Sequence, residues 1–136
     1  MRRYVLLSVI ALSLAACASS PPKQARSEFE DIPVPSGLTL DWDKSTVIES
    51  PSLKAARLVY KGRIEPDSLG VVYRTTLEAN GWHHLASTTS SKKGTTQVYE
   101  KSGNSLHLQI YEGIYYTWVE VSATRLVTPA TTSQVR

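Results

Sequence analysis

The chain has 136 residues, a formal net charge of +3 at pH 7 and a single cysteine. This length suffices for one small domain, and a single cysteine excludes an intramolecular disulfide and a zinc site built on several thiolates. Two of the positive charges lie at Arg2 and Arg3, and no run of Lys and Arg contains interleaved aromatic residues. The composition therefore does not indicate nucleic-acid binding.

Residues 1–16 have the parts of a secretory signal peptide in order: a basic pair, an apolar run over residues 4–14 and two small residues. The apolar run is shorter than the roughly 20 residues of a membrane-spanning helix. The sequence Leu14-Ala15-Ala16-Cys17 resembles the lipobox of bacterial lipoproteins. The resemblance implies cleavage between Ala16 and Cys17 and acylation of the Cys17 thiol with diacylglycerol and palmitate. An ordinary signal peptide that contains a cysteine is the alternative.

Two or three acyl chains hold a protein stably at a bilayer, since each buried methylene contributes about 0.8 kcal/mol. Gram-negative lipoproteins that stay in the inner membrane carry Asp after the acylated cysteine, and this chain has Ala18 there. We therefore expect Cys17 to anchor the chain in the outer membrane, on its periplasmic face. The arginine pair also raises a twin-arginine export route, which residues 4–7 match poorly.

Residues 17–28 are rich in Ser, Pro and charge and predict a flexible linker after the acylated cysteine. The domain is predicted over residues 29–125 and begins with a stiff arm, in which Pro33 and Pro35 favour extended geometry. Two strands follow at residues 45–50 and 55–64, joined by a turn at Ser50-Pro51-Ser52.

The second of these strands alternates apolar and basic residues. Ala56, Leu58, Tyr60 and Ile64 share one face, and the other face carries Arg57, Lys61 and Arg63. We expect the apolar face to lie on the core.

A helix is predicted over residues 65–80. Pro66 suits the first helical position and Gly81 the position just past the end. The helical spacing predicts an apolar stripe that packs on a sheet, formed by Leu69, Val72, Tyr73, Thr76 and Leu77.

Four further strands are predicted at residues 82–89, 95–101, 105–111 and 115–124, and residues 126–136 are predicted as a disordered tail. In the last hairpin we expect Tyr111 to pair with Ile114. That register places Tyr115 with the apolar residues on one face, and His107 opposite Trp118 on a polar and aromatic face.

The predicted order is β-β-α-β-β-β-β. One amphipathic helix cannot cover two sheets, so the predicted fold class is α+β, with the helix packed on one face of a mostly antiparallel sheet. The opposite face is expected to be open to water or to a partner.

A group of small Gram-negative lipoproteins with one α+β domain is similar to this chain between about residues 32 and 124. The segments that carry the resemblance are Ile32-Pro33-Val34-Pro35-Ser36-Gly37-Leu38, the strand end near Gly62, Val72-Tyr73, Asn80-Gly81-Trp82 and Val98-Tyr99-Glu100-Lys101. The resemblance implies the fold and the envelope location and carries no activity.

No motif for catalysis stands out in the sequence. His83 and His84 are neighbours on a predicted strand, so they point to opposite faces and cannot easily share a metal, and His107 lies on another strand. There is no Gly-x-Ser-x-Gly motif, no phosphate-binding loop and no pair of carboxylate clusters. We therefore expect no catalytic residue, no metal site and no cofactor.

The aromatic residues predicted on the sheet face away from the helix need an explanation. Tyr111, Tyr116 and Trp118 should share the face away from the helix with His107, and Tyr99 is a further candidate there. Tyr and Trp are enriched in protein contacts and in sugar-stacking sites. Two interpretations stay open: an exposed contact surface, or ordinary core beneath the tail or the arm.

The sequence favours a non-catalytic lipoprotein that serves as an accessory subunit of an envelope protein assembly. The alternative is a binder of cell-wall glycan or a small ligand, with Tyr116 and Trp118 as stacking platforms. A hydrolase without a recognisable motif is the third class. A deep pocket with a histidine and a carboxylate would favour the hydrolase, and a flat exposed aromatic patch would favour a protein partner.

Overall fold

The computed structural model describes Phe29 and residues 31–127. The predicted signal peptide, the lipidated Cys17 and the linker lie outside the described residues, and so do residues 128–136 of the predicted tail.

The described part of the chain forms one α-helix and seven strands. In chain order they are β1 (Thr39–Leu40), a 3-10 helix (Trp42–Lys44), β2 (Thr46–Glu49), β3 (Leu53–Gly62), α1 (Pro66–Ala79), β4 (His83–Ser90), β5 (Gly94–Lys101), β6 (Asn104–Glu112) and β7 (Thr117–Leu126). The observed order is β-β-β-α-β-β-β-β, so the predicted order β-β-α-β-β-β-β is matched only in part, although the six predicted strands and the helix are present. The two-residue strand β1 lies in the predicted arm and is additional.

The seven strands form one sheet in which every recorded pairing is antiparallel. The order across the sheet is β1-β3-β7-β6-β5-β4, and β2 pairs with β3 on the same edge as β1. The chain thus runs along one edge of β3 in two short pieces, separated by the 3-10 helix. Over the described residues the fold is α+β, with one α-helix on a large antiparallel sheet.

The turn between β2 and β3 was predicted correctly. The Ser50 amide donates to the Leu53 carbonyl at 2.8 Å, and Glu49 pairs with Lys54. The predicted faces of β3 are confirmed as well, because Ala56, Leu58 and Tyr60 are buried in the core.

The helix α1 begins as the sequence predicts. The Glu65 carboxylate accepts hydrogen bonds from the Asp67 amide at 2.9 Å and from the Ser68 amide at 2.6 Å, and Pro66 opens the first turn. A further hydrogen bond from the Ser68 hydroxyl, together with these amides, holds the pKa of Glu65 below its ordinary value. Past the last residue Gly81 has φ +82°, a conformation that glycine adopts without strain.

The buried side of α1 differs from the predicted stripe in one respect. Leu69, Tyr73 and Leu77 are buried as predicted, but Val72 is 42% exposed. Gly70 is buried instead, and its carbonyl accepts a hydrogen bond from the Gln97 side chain of β5 at 3.2 Å. The contact side of the helix is therefore rotated toward Gly70 and away from Val72.

The core lies between α1 and one side of the sheet, which we call the inner face. Phe29 and Ile32 of the arm are buried in the same cluster. Asp31 of the arm forms ion pairs with Arg125 and with Lys101. The arm therefore covers the inner face beside the helix and not the opposite, aromatic face.

The predicted register of the β6–β7 hairpin was wrong. Tyr111 pairs with Trp118 and not with Ile114, because a four-residue turn over residues 113–116 joins the strands. The Gly113 amide closes this turn on the Tyr116 carbonyl at 2.8 Å. Tyr115 consequently lies in the turn and not in the core. The shift is an even number of residues, so the strand residues keep the faces that were predicted for them.

The strand β7 also runs beyond its predicted end at residue 124. Leu126, assigned to the tail in the sequence-based prediction, pairs with Leu53 at the start of β3. The amide of Val127 donates to the Ser52 carbonyl at 3.0 Å.

Candidate functional site

The outer face is the side of the sheet that carries neither α1 nor the arm. On the two central strands it presents Ser105, His107, Gln109 and Tyr111 of β6 and Trp118, Glu120, Ser122 and Thr124 of β7. The 3-10 helix covers one spot on this face, at Val59, which is 1% exposed. Two hydrogen bonds hold the 3-10 helix there: the Asp41 amide donates to the Val59 carbonyl at 2.8 Å, and the Val59 amide donates to the Ser45 hydroxyl oxygen at 3.0 Å.

Three of the predicted contact residues come together at one corner of the outer face. Tyr111 and Trp118 are direct cross-strand partners and are both half-buried. Tyr116 lies in the turn that precedes β7, and its ring meets the Trp118 ring edge to face, with centroids 6.5 Å apart. His107 is exposed on the same face but pairs with Ser122, farther along the strands.

The prediction that Tyr99 belongs to this surface was wrong. Tyr99 pairs with Leu106 on the inner face and is fully buried. Its hydroxyl donates to the Gln97 side chain at 2.7 Å, and burial raises its pKa to about 12. The short turn Ser102-Gly103 fixes the β5–β6 register and could have revealed this placement.

Three cations surround the aromatic corner, and the sequence did not single them out. The Nζ atoms of Lys44 and Lys61 lie 3.6 and 5.7 Å from the centroid of the Trp118 ring. The guanidinium carbon of Arg63 lies 5.5 Å from the centroid of the Tyr116 ring. We call these five residues the cation–aromatic cluster.

The alternation of β3 correctly placed Lys61 and Arg63 on the outer face. It could not show that Lys61 pairs with Trp118, because the β3–β7 pairing joins strands far apart in the chain. Lys44 comes from the 3-10 helix, which has no apolar period of its own.

Carboxylates neutralise two of the cations on the outer face. The Lys61 ammonium donates to Asp41 at 3.0 Å and thereby lowers the pKa of that carboxyl below its ordinary value of 3.8. Arg57 makes two hydrogen bonds to Glu120, at 2.5 and 2.7 Å. Within Phe29 and residues 31–127, Lys44 and Arg63 form no ion pair. Among the described residues, Lys44 and Arg63 are thus the cations of the cation–aromatic cluster outside a direct ion pair, although the Lys44 charge adds to the effect of Lys61 in lowering the pKa of Asp41.

The β6–β7 turn adds apolar surface next to the cluster. Ile114 is 92% exposed and Tyr115 is 76% exposed. A cavity of about 370 Å³ lies beside them and is lined by Arg63 and Tyr116.

A larger groove of about 920 Å³ lies between this turn, the β4–β5 turn and the start of α1. Its lining includes Gln109, Tyr111, Glu120 and the two lysines Lys92 and Lys93. Both volumes fall within or near the range of small-molecule sites, roughly 300–1,000 Å³.

The histidines are dispersed over the sheet. His83 pairs with Glu100 at the start of β4, while His84 faces inward and meets the Tyr99 ring edge to face at 5.3 Å. Within the described residues, no group of three His, Cys, Asp or Glu side chains could hold a metal ion. In the same part of the chain, the helix lacks the length and apolar character to cross a membrane.

No protein-family model matches this chain, and neither a curated protein nor a solved structure matches it. The resemblance to small Gram-negative lipoproteins therefore stays a prediction, and functional arguments start from the residues of the outer face.

Proposed function

We propose that this chain is a lipid-anchored protein of the periplasmic face of the outer membrane that acts as a non-catalytic binding subunit in an envelope assembly. The observation that carries the proposal is the outer face, where Tyr111, Tyr116 and Trp118 gather while the helix and the arm lie on the other side of the sheet.

The chemistry of this corner suits a protein contact. Tyr and Trp give rigid apolar area with a polar group, and such residues dominate the energetics of many interfaces. The exposed Ile114 and Tyr115 lie at the border of the corner. A partner could bury apolar surface on the turn and polar surface on the strands in one contact.

The membrane part of the proposal rests on the Leu14-Ala15-Ala16-Cys17 sequence. Intact-mass analysis of the protein extracted from membranes should give a chain that begins at an acylated Cys17. A mass equal to the uncleaved or unlipidated chain would contradict the anchor. Cys17→Ser should release the protein from membranes or leave it as a precursor.

Cross-linking in intact cells, followed by mass spectrometry of captured proteins, tests the contact surface. Trp118→Ala should lose the captured partners while the protein remains folded by circular dichroism. Leu85→Ala is the matched control, since Leu85 is an exposed apolar residue on the edge strand β4. If Trp118→Ala keeps every partner that the parent chain captures, the outer face is not the contact surface.

A cell-wall glycan or small ligand is the second candidate, and the groove of about 920 Å³ beside Tyr111 favours it. Stacking of a sugar on Trp118 is disfavoured, because the Lys44 ammonium already lies 3.6 Å from that ring. Titration with soluble peptidoglycan fragments separates the candidates. Saturable binding that Tyr111→Ala abolishes would favour the glycan, and no binding would favour the protein partner.

A further inference from the structure

The strand β4 forms an open edge of the sheet. It pairs with β5 on one side, and no other strand of the described chain pairs with it. Seven of its eight residues are exposed. Along an antiparallel edge strand, alternate residues direct their backbone N–H and C=O groups away from the neighbouring strand. In the described part of the chain these outward groups of β4 have no backbone partner, so they are available to a further strand.

The opposite edge of the sheet is protected against such pairing, and β4 is not. On the opposite edge, β1 and β2 contribute two and four residues, the 3-10 helix separates them, and Pro51 lies in the turn after β2. Short strands, proline and charged side chains are common protections of a sheet edge. The eight residues of β4 include no Pro, Lys, Arg, Asp or Glu. A bulge between His84 and Ala86 leaves Ala86–Ser90 in regular register with β5.

Charges of opposite sign lie at the two ends of this edge. Lys92 and Lys93 follow the end of β4, and Glu100 pairs with His83 at its start. Within the described residues none of these three charges forms an ion pair, and the carboxylates that line the groove beside the lysines are not their partners. The Glu100 carboxylate accepts one hydrogen bond, from the Gly103 amide at 2.7 Å, and keeps further acceptor capacity.

This charge distribution fits a second copy of the same strand that runs in the opposite direction. An antiparallel copy brings Lys92 and Lys93 of each chain to the end of the sheet that carries Glu100 of the other chain. A parallel copy would bring lysines to lysines, and like charges in contact are destabilising. The edge is therefore complementary to itself in the antiparallel direction.

Symmetry and the faces of the sheet fix the register of such a pairing. Residues directly opposite each other share a face, so a two-fold axis between two identical antiparallel strands must pass through a residue and not between residues. The central residue of the regular stretch Ala86–Ser90 is Thr88, which lies on the outer face with its partner Thr96. In this register Ser87 lies opposite Thr89 of the other copy.

We propose that β4 pairs antiparallel with β4 of a second copy of this chain, about a two-fold axis at Thr88. The paired side chains are Ala, Ser and Thr, and hydroxyls across strands exchange hydrogen bonds, as those of Thr89 and Thr95 do at 3.1 Å. Because the opposite edge is protected, the assembly closes as a dimer. The inference goes beyond the proposed function, since it concerns the sheet edge and holds whether or not the outer face binds a partner.

The dimer is compatible with two lipid anchors in one membrane. A two-fold axis perpendicular to the sheet keeps the inner faces of both copies on one side and the outer faces on the other. The arm, from which the linker leaves, lies on the inner face. With the axis along the membrane normal, both linkers leave toward the bilayer at the same height. The two outer faces then form one continuous surface directed away from the membrane.

Cysteine cross-linking in membranes tests the position of the axis. Under mild oxidation, Thr88→Cys should give a disulfide-linked dimer on a nonreducing gel. Cross-linking is compared with the parent chain, whose one cysteine is Cys17. The matched control is Thr46→Cys, an exposed threonine on the opposite edge strand β2, which should stay monomeric. A Thr88→Cys chain that stays monomeric, or that links mainly to a protein of different mass, would overturn the proposal.

A pair of variants tests the register. Ala86 of one copy lies opposite Ser90 of the other, while the two Ala86 residues are four positions apart along the strands. When Ala86→Cys and Ser90→Cys chains with different tags are co-expressed, they should cross-link to each other far more than either chain cross-links to itself. Equal cross-linking in the three combinations would contradict the two-fold axis at Thr88.

Charge reversal tests the ends of the edge. In analytical ultracentrifugation of the purified full-length chain in detergent, Lys92→Glu with Lys93→Glu should weaken dimerisation about tenfold, and so should Glu100→Lys. The three substitutions together reverse both ends and should restore most of the affinity. Glu49→Lys on β2 is the control and should leave dimerisation unchanged.

Three outcomes of this experiment would overturn the dimer. They are a parent chain that stays monomeric at every concentration, a triple variant that dimerises no better than the separate charge reversals, and an effect of Glu49→Lys as large as that of Glu100→Lys. Circular dichroism of each variant shows whether it is folded. Loss of dimerisation leaves the proposed function intact, because capture of partners through Trp118 is measured separately.

Discussion

The inner and outer faces of this sheet are built by the same strands, and they differ in almost every physical respect. On β6, Leu106, Leu108 and Ile110 are buried in the core. The residues between them lie on the outer face, where His107 is exposed and Gln109 is half-buried. The inner face excludes water and holds the fold together. The outer face keeps charges, hydroxyls and aromatic rings that contribute little to that core. The contrast teaches that burial in the core explains one set of alternate residues, and that the other set is the one to which the proposed contact applies.

The largest expected effect on stability comes from truncating a core residue on the inner face. Leu77 is fully buried on α1, so Leu77→Ala should lower the free energy of unfolding by about 2–5 kcal/mol. Val71→Ala on the exposed side of the same helix should change it by no more than about 0.5 kcal/mol. Urea titrations of both variants give the comparison, and equal midpoints would mean that the helix packs through another side.

The second prediction concerns the one covered spot of the outer face. Val59→Ala removes two buried carbon atoms beneath the 3-10 helix and should cost about 1.6 kcal/mol. Ser122→Ala, on the uncovered part of the same face, should be close to neutral. Thermal melts distinguish the two. A Val59 variant as stable as the parent would show that the 3-10 helix contributes no core to this face.

A smaller effect is expected from the ion pair between Arg57 and Glu120. Its geometry is bidentate, but the Arg57 side chain is 52% exposed, so solvent and salt screen the pair. A double-mutant cycle with Arg57→Gln and Glu120→Gln should give a coupling of about 0.5–1 kcal/mol that falls as salt is added. Coupling that persists undiminished in 1 M salt would place the pair in a far drier environment.

The smallest effect depends on pH. The hydrogen bond from Lys61 lowers the pKa of Asp41 in the folded state below 3.8, so the contribution of Asp41 to stability is fully present above that value. It is lost as the pH falls through the lower folded-state pKa. Asp41→Asn should therefore reduce stability at neutral pH, and the difference from the parent should shrink on acidification below pH 3.8. A difference that grows toward acid pH would contradict the ion pair.

Sequence reasoning reached the fold class and the faces of the strands because side-chain alternation has a period of two. It placed Trp118 on the outer face correctly even though its partner was misassigned, since an even shift preserves the face. It wrongly assigned Tyr115 and Tyr116 to a strand. The hydrogen bond from the Gly113 amide to the Tyr116 carbonyl closes a four-residue turn, and the residue pattern did not indicate this turn length. The cation–aromatic cluster could not be predicted, because Lys44, Lys61 and Trp118 meet only through pairing of strands remote in sequence.

The start of the arm, at Phe29, and the β6–β7 turn lie at opposite ends of β7, and this separation limits how far the aromatic corner can lie from Cys17. Phe29 lies beside Arg125, which is eight residues along β7 from Thr117, a distance of roughly 26 Å. An eleven-residue stretch from Ala18 to residue 28 spans at most about 35–40 Å. A chain anchored at Cys17 would thus hold its aromatic corner up to roughly 60 Å from the bilayer. At full extension, the aromatic corner of a chain anchored as proposed would lie well away from the bilayer.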